Sequence, residues 1–293
     1  MCLHRPLFPE ELLDRFLFEL DPSEKDGRTA LKTCRVVSRQ FKRIVKPYVF
    51  RVVELQGEFS RRDCCFARYG QFAANPTNRH IATAVQELIL TGGASYREGG
   101  LDWDQLFNII RYCASLKILT LAQIHWTNWY VSPYHHVHHA YLARTELPRL
   151  LPHLSTIRFN RFQFWRKSLE FRTARLPPVL LTPTVTSCIL SELAIDDVHP
   201  RGIATYTYHI PYVCIDAPSE STLRLLRDME DVRHLEIWNI DDRSSEWDDC
   251  LSFLVEGNKQ TLQTLVLDAD FDTSGTQIVP SSHCFGNWSH PFT

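Results

Sequence analysis

Leu116-Lys117-Ile118-Leu119-Thr120-Leu121-Ala122-Gln123-Ile124 carries an apolar residue, two others, an apolar residue, one other, an apolar residue, two others and a final apolar residue. The same spacing returns as Val85-x-x-Leu88-x-Leu90, Leu154-x-x-Ile157-x-Phe159-x-x-Phe162 and Leu190-x-x-Leu193-x-Ile195-x-x-Val198. It closes with Val232-x-x-Leu235-x-Ile237-x-x-Ile240 and Leu262-x-x-Leu265-x-Leu267. In chain order the starts lie 31, 38, 36, 42 and 30 residues apart. The alternating centre of each copy reads as a short strand with its apolar side chains on one face, because strand side chains repeat every two residues. The apolar residue three positions earlier anchors the turn into that strand. Tyr212-Val213-Cys214-Ile215-Asp216 reads as a partial strand between two copies.

Helix-like stretches separate the strands: 104–114, 142–151, 221–229 and 247–256. A single strand–helix unit is too small to bury its own apolar face, so neighbours must stack. The expected body, residues 85–270, is a curved parallel sheet with helices outside: a solenoid of α/β units. Residues 51–84 are expected to be a connector. Residues 271–293 show no helical or strand period and read as an irregular tail.

The first fifty residues read differently. Leu7-Phe8-Pro9-Glu10-Glu11 is a helix start, since proline at the first helical position loses no intrahelical hydrogen bond. Leu12, Leu13, Phe16, Leu17 and Leu20 then form one apolar stripe at helical spacing. Phe18 falls off the stripe and suggests a second contact surface. Asp21-Pro22 ends the helix, and 23–28 reads as a polar loop. A second helical pattern from about Thr29 places Ala30, Leu31, Cys34, Val37, Phe41 and Ile44 on one face. Lys32, Arg35, Arg39, Lys42 and Arg43 occupy the other. Pro47 closes this helix or starts a turn, and 49–55 alternates as a strand.

The run Leu7-Phe8-Pro9-Glu10-Glu11-Leu12-Leu13-Asp14-Arg15-Phe16-Leu17-Phe18-Glu19-Leu20 resembles the opening of an F-box. The run Cys34-Arg35-Val36-Val37-Ser38-Arg39-Gln40-Phe41-Lys42-Arg43-Ile44 resembles its second half. With Pro47-Tyr48-Val49-Phe50 trailing, the form is most similar to F-box proteins of fungi. Phe8 and Phe16 depart from the usual residues, and the loop from Asp21 to Thr29 is long for the family. The copies further along the chain resemble leucine-rich repeats with uneven spacers and mostly without the usual Asn or Cys after the strand. The resemblance implies an α plus α/β chain: a three-helix F-box over residues 1–50, then a curved leucine-rich-repeat-like solenoid. It implies a Skp-type adaptor and a cullin scaffold as partners, with the repeats holding a target protein that the sequence does not name. Pro9, Leu12, Leu13, Leu17, Val36, Val37 and Phe41 are the candidate adaptor contacts. A physical reason accompanies the resemblance. About 45 residues in three helices cannot bury all their apolar surface alone, so one stripe remains for a foreign helix.

Other classes find little support. Formal net charge is -2, so nothing global points to nucleic acid or to an anionic membrane. Nine scattered cysteines include no C-x-x-C. The first residues lack the apolar run of a signal peptide, and no stretch is long and apolar enough to span a bilayer, so cytosol or nucleus is expected. No phosphate-loop, dinucleotide, serine-hydrolase or zinc-protease motif occurs. No enzyme activity, cofactor or metal is expected. His135, His136, His138 and His139 could bind zinc or copper, but an exposed loop between repeats explains them as well. Trp126, Trp129 and Tyr130 suit either a protein contact or local packing. Phe159, Phe162, Phe164 and Trp165 interleaved with Arg158, Arg161 and Arg166 could bind single-stranded nucleic acid, but a strand with one buried and one solvated face gives the same pattern and is the favoured reading. The acidic stretch 228–249 reads as a solvated face. The expected function is target recognition for a cullin-type ubiquitin ligase. The alternative is a repeat scaffold that joins no ligase.

Overall fold

A computed structural model of the chain describes residues 10–20, 25–57, 65–92, 101–126, 138–161, 163–164, 178–191, 194–195, 207–217, 229–239 and 255–267. The expected helices at 221–229 and 247–256 lie almost wholly outside these residues, as does the 271–293 tail.

Three helices come first: α1 (Glu10–Phe18), α2 (Lys25–Val37) and α3 (Arg39–Val49). Helix α2 starts before Thr29, so Gly27 and Arg28, expected in a loop, are helical. The second helical pattern is also broken in two. Ser38 takes an extended conformation (φ -158°, ψ 167°), and its hydroxyl oxygen accepts from the Phe41 N–H at 3.1 Å. That bond caps α3 and stops α2 at Val37. Pro47, expected to close the helix or start a turn, lies inside α3. The last turn survives because Phe50 N–H donates to the Lys46 carbonyl at 3.4 Å and Arg51 N–H to the Tyr48 carbonyl at 3.2 Å. Leu17, Leu31 and Val45 form the core of this unit, one residue from each helix.

Eight strands follow: β1 (Val52–Gly57), β2 (Glu87–Gly92), β3 (Ile118–Ala122), β4 (Thr156–Asn160), β5 (Ser187–Ser191), β6 (Tyr212–Asp216), β7 (His234–Trp238) and β8 (Thr264–Leu267). They build one sheet whose order in space is their order in the chain. Every neighbouring pair is parallel. The sheet is curved and does not close. The segment read as a connector therefore contributes the first strand and also α4 (Cys65–Ala74) and α5 (Arg79–Ala82).

Register explains the apolar spacing. In β2 to β7 the second and fourth residues point to one side and are buried: Leu88 and Leu90, Leu119 and Leu121, Ile157 and Phe159, Cys188 and Leu190, Val213 and Ile215, Leu235 and Ile237. At the two ends of the sheet the matching residues are less covered: Val53 and Leu55 of β1 are half-buried, and Leu265 and Leu267 of β8 are exposed. The residue three before the first of each buried pair is buried too: Val85, Leu116, Leu154, Val185, Ile210 and Val232. One copy takes a different frame from the one its Leu-rich spacing suggests. The strand after Phe159 uses Val185-x-x-Cys188-x-Leu190, not Leu190-x-x-Leu193-x-Ile195. Ala194–Ile195 belongs instead to a small parallel sheet with His125–Trp126 and Gln163–Phe164. The partial strand at Tyr212 is a full member, paired on both sides.

Helices cover the buried side. Phe66 of α4, Leu106, Ile109 and Ile110 of α6 (Trp103–Ile110), Leu147 of α7 (Leu147–Leu150) and the single turn Pro178–Leu181 join the strand residues in one apolar core. This core is separate from that of the helical unit. Two backbone devices repeat. Where strands begin, one carbonyl accepts two successive N–H groups of the next unit: Arg51 from Gln86 and Glu87, Lys117 from Ser155 and Thr156, Arg233 from Gln263 and Thr264. Where β3, β4, β6 and β7 end, the next residue is left-handed: Gln123 (φ 51°), Arg161 (φ 50°), Ala217 (φ 49°) and Asn239 (φ 54°). The first three donate their N–H to the last residue of the following strand, at 2.7, 2.9 and 3.0 Å.

Asn258 is buried between the last two strands. Its Nδ2 donates to the Met229 carbonyl at 3.2 Å, and its Oδ1 accepts from the Val232 N–H at 3.1 Å. Asn258→Ala leaves both backbone groups unpaired and should cost about 2–3 kcal/mol in urea unfolding of the sheet unit. A loss under about 0.5 kcal/mol would mean that water replaces the amide.

Two buried thiols link the sheet unit to pH. Burial pushes Cys113 up to about 11 from 9.0, against the lowering effect of its bond to the Tyr69 hydroxyl. Burial, then the neighbouring Cys214, pushes Cys188 well above 9.0. Both pKa values are raised on folding, so their contribution is complete below pH 9.0 and declines as the unfolded thiols ionise. The expected slope is about 1.4 kcal/mol per pH unit for each thiol. Urea titrations between pH about 8 and about 10.5 check it. Cys188→Ala should flatten the slope, and an unchanged slope would contradict the assignment.

Candidate functional site

The amphipathic stripe of α1 divides. Leu13 and Leu17, four residues apart, point inward and are buried. Leu12 and Phe16, also four apart, lie one residue round the helix and are 59% and 54% exposed. Leu13 and Leu17, expected as adaptor contacts, are thus covered within the chain itself. Leu17 packs with Leu31 and Val45, and Leu13 is likewise closed to a partner. Pro9 lies outside the described residues. Phe41 is half-buried at the start of α3. Val36 and Val37 end α2 and are 83% and 63% exposed, because the Ser38 cap turns the chain away before α3 can cover them.

Phe18 is 64% exposed, and the Arg51 guanidinium carbon sits 5.7 Å from its ring centre. Together with Pro47, Tyr48, Ala84, Gln86 and Ser115 they line an open cleft of about 240 Å³ between the helical unit and the start of the sheet. Phe18 therefore faces the body of the same chain and stands apart from the Leu12–Phe16 pair.

The open face of the sheet is the second candidate surface. Its residues alternate with the buried ones. Arg158 reaches across β3 to Glu87, with Nη1 3.3 Å from Oε1. This separates Arg158 from the buried Phe159, as the reading of one solvated and one buried strand face requires. Phe162, Trp165 and Arg166 lie outside the described residues. Further along, Trp238 Nε1 donates to Glu236 Oε2 at 3.3 Å, and Asn239 Nδ2 donates to Asp216 Oδ1 at 2.6 Å. Burial, then the hydrogen bond and charge of Glu236, pushes the Tyr212 hydroxyl up to about 12. Of the acidic stretch, Glu230, Asp231 and Glu236 are described, and Asp231 pairs with His209 at 2.8 Å.

The histidine cluster is not one exposed loop. His135 and His136 lie outside the described residues. His138 is exposed, but His139 is buried in a helical segment. Its Nε2 lies 3.4 Å from Asp104 Oδ1, and its ring centre lies 6.0 Å from that of Trp103. Among the described residues no three metal-ligating side chains come together. No helix among them is long and apolar enough to cross a membrane. No protein-family model matches the chain, and no curated protein matches it either.

Proposed function

We propose that this chain is the target-recognition subunit of a cullin-type ubiquitin ligase. Helices α1–α3 act as an F-box that docks on a Skp-type adaptor. The sheet body is a leucine-rich-repeat-like solenoid that holds the target protein. The chain itself makes and breaks no bond. It contributes proximity, by keeping a target lysine tethered near the conjugating enzyme. Such an assembly works in the cytosol or nucleus.

The observation that carries this reading is apolar surface beyond what the helical unit can use. Its core is complete with Leu17, Leu31 and Val45, yet Leu12, Phe16, Val36 and Val37 remain more than half exposed. Exposed apolar residues grouped on short helices suit a helix-to-helix interface. The solenoid reading is supported by a ladder whose spatial order repeats the chain order and whose units share one register.

Co-expression with a fungal Skp-type adaptor tests the reading. A one-to-one complex that survives gel filtration is expected. Failure to form a complex at micromolar concentration would overturn the ligase assignment and leave a repeat scaffold that serves no ligase.

A further inference from the structure

The exposed valines at the α2–α3 junction sit in a strongly basic setting. Residues 25–49 hold eight Lys or Arg and a single acidic residue, Asp26, a net charge of +7 in a chain whose total is -2. The cations fall at helical spacing. Lys32 and Arg35 share a face of α2 with Val36, and Arg39, Lys42 and Lys46 share a face of α3. Among the described residues none of these five cations makes an ion pair. Lys32, Arg39 and Lys42 are exposed.

We infer that the protein surface received by α2 and α3 is acidic, and that these cations steer its capture. The inference rests on the proposed adaptor role and adds the chemistry of the surface the adaptor must present. Cations alone would fit a nucleic acid or an anionic membrane equally well. Val36 and Val37 argue against a nucleic acid, and vesicles test the membrane. A phosphate backbone would leave both valines in water. An acidic helix with its own apolar residues covers the valines and meets the flanking cations at once. The two parts of the surface then do different jobs. Valine burial sets how long the complex lasts, and the cations set how fast it forms, since charges at the edge of an interface act mainly on the association rate.

Stopped-flow or surface-binding kinetics with the full-length chain and a purified fungal Skp-type adaptor tests this. Between about 50 mM and about 500 mM salt the association rate should fall roughly tenfold or more, while the dissociation rate changes less than about twofold. The triple variant Lys32→Glu, Arg39→Glu, Lys42→Glu should start slow and lose the salt dependence. Its melting temperature should match that of the wild type, because all three side chains are exposed. Adaptor binding with a salt-independent association rate, or unchanged kinetics in the triple variant, would overturn the steering inference and leave the adaptor role standing. Absence of adaptor binding at every salt concentration would overturn both. Three parallel measurements cover the other occupants: a 20-base-pair duplex DNA, phosphatidylserine vesicles, and the mass of the chain alone at low salt. Tight binding to either probe, or self-association, that the triple variant loses while adaptor kinetics stay the same would also overturn the inference.

Discussion

Val36→Asp combined with Val37→Asp should weaken adaptor binding by at least about 100-fold while the chain stays folded. The size follows from what the complex must bury. A valine moved from water into an interface contributes about 1.5–2 kcal/mol, and a carboxylate in its place must be desolvated without a partner. Two such losses exceed the roughly 2.7 kcal/mol that corresponds to 100-fold. The native fold barely notices, since the two side chains are 83% and 63% exposed and the core at Leu17, Leu31 and Val45 is untouched. The melting temperature and circular dichroism of the double variant verify that point. Leu17→Asp is the contrasting variant. It should abolish binding too, but by unfolding the helical unit, because its side chain is fully buried. Binding that survives the valine variant would move the contact elsewhere on the unit.

Gly92→Val should be the most damaging single substitution in the sheet. A Cβ at this position would stand 2.1 Å from the Gln123 carbonyl oxygen, 3.1 Å from its carbon and 3.5 Å from the Ile124 Cα. All three atoms are backbone, so no rotamer change relieves the clash. Nor can the backbone withdraw freely. Gln123 is held in a left-handed conformation, and its N–H is bonded to the Asn160 carbonyl of the next strand. Even Gly92→Ala should cost about 3 kcal/mol or more, at the upper end for overpacking, and valine more. Gly257→Ala is the control. Nothing lies within 4 Å of its added Cβ, and it ends a helical turn, so it should be neutral or stabilising by up to about 1 kcal/mol. Urea midpoints of the three variants give the comparison. A Gly92→Ala midpoint equal to that of the wild type would mean that the two strand ends do not approach as closely as described.

Wherever both inward residues of a strand were Leu, Ile, Val or Phe, the strand was legible in the sequence. Leu88 and Leu90, Leu119 and Leu121, and Leu235 and Ile237 all announce themselves. The frame slipped at 185–190, where Cys188 fills an inward position. Cys188 behaves as a small buried hydrophobe there, where the repeat pattern shows Leu, Ile, Val or Phe in the other copies. The first strand was seen as a strand but not as a repeat. Its anchor position falls on Phe50, which also caps α3. The left-handed turns after the strands were not legible. Gln, Arg and Ala have no preference for that conformation, and only Asn239 carries a signal. At the candidate site, periodicity gave the apolar stripe of α1 but not which edge of it is covered. Leu12 and Leu13 are neighbours in sequence about 100° apart around the helix. Only the packing of the folded chain decides that Leu13 and Leu17 turn in and Leu12 turns out.

Amide hydrogen exchange on the full-length chain, alone and saturated with a fungal Skp-type adaptor, bears most directly on the surplus apolar surface of α1–α3. The account predicts slowed exchange across Leu12–Phe16 and Lys32–Phe41, with β1 to β8 unchanged. Slowing confined to the sheet, or none in α1 and α2 despite a bound adaptor, would contradict it.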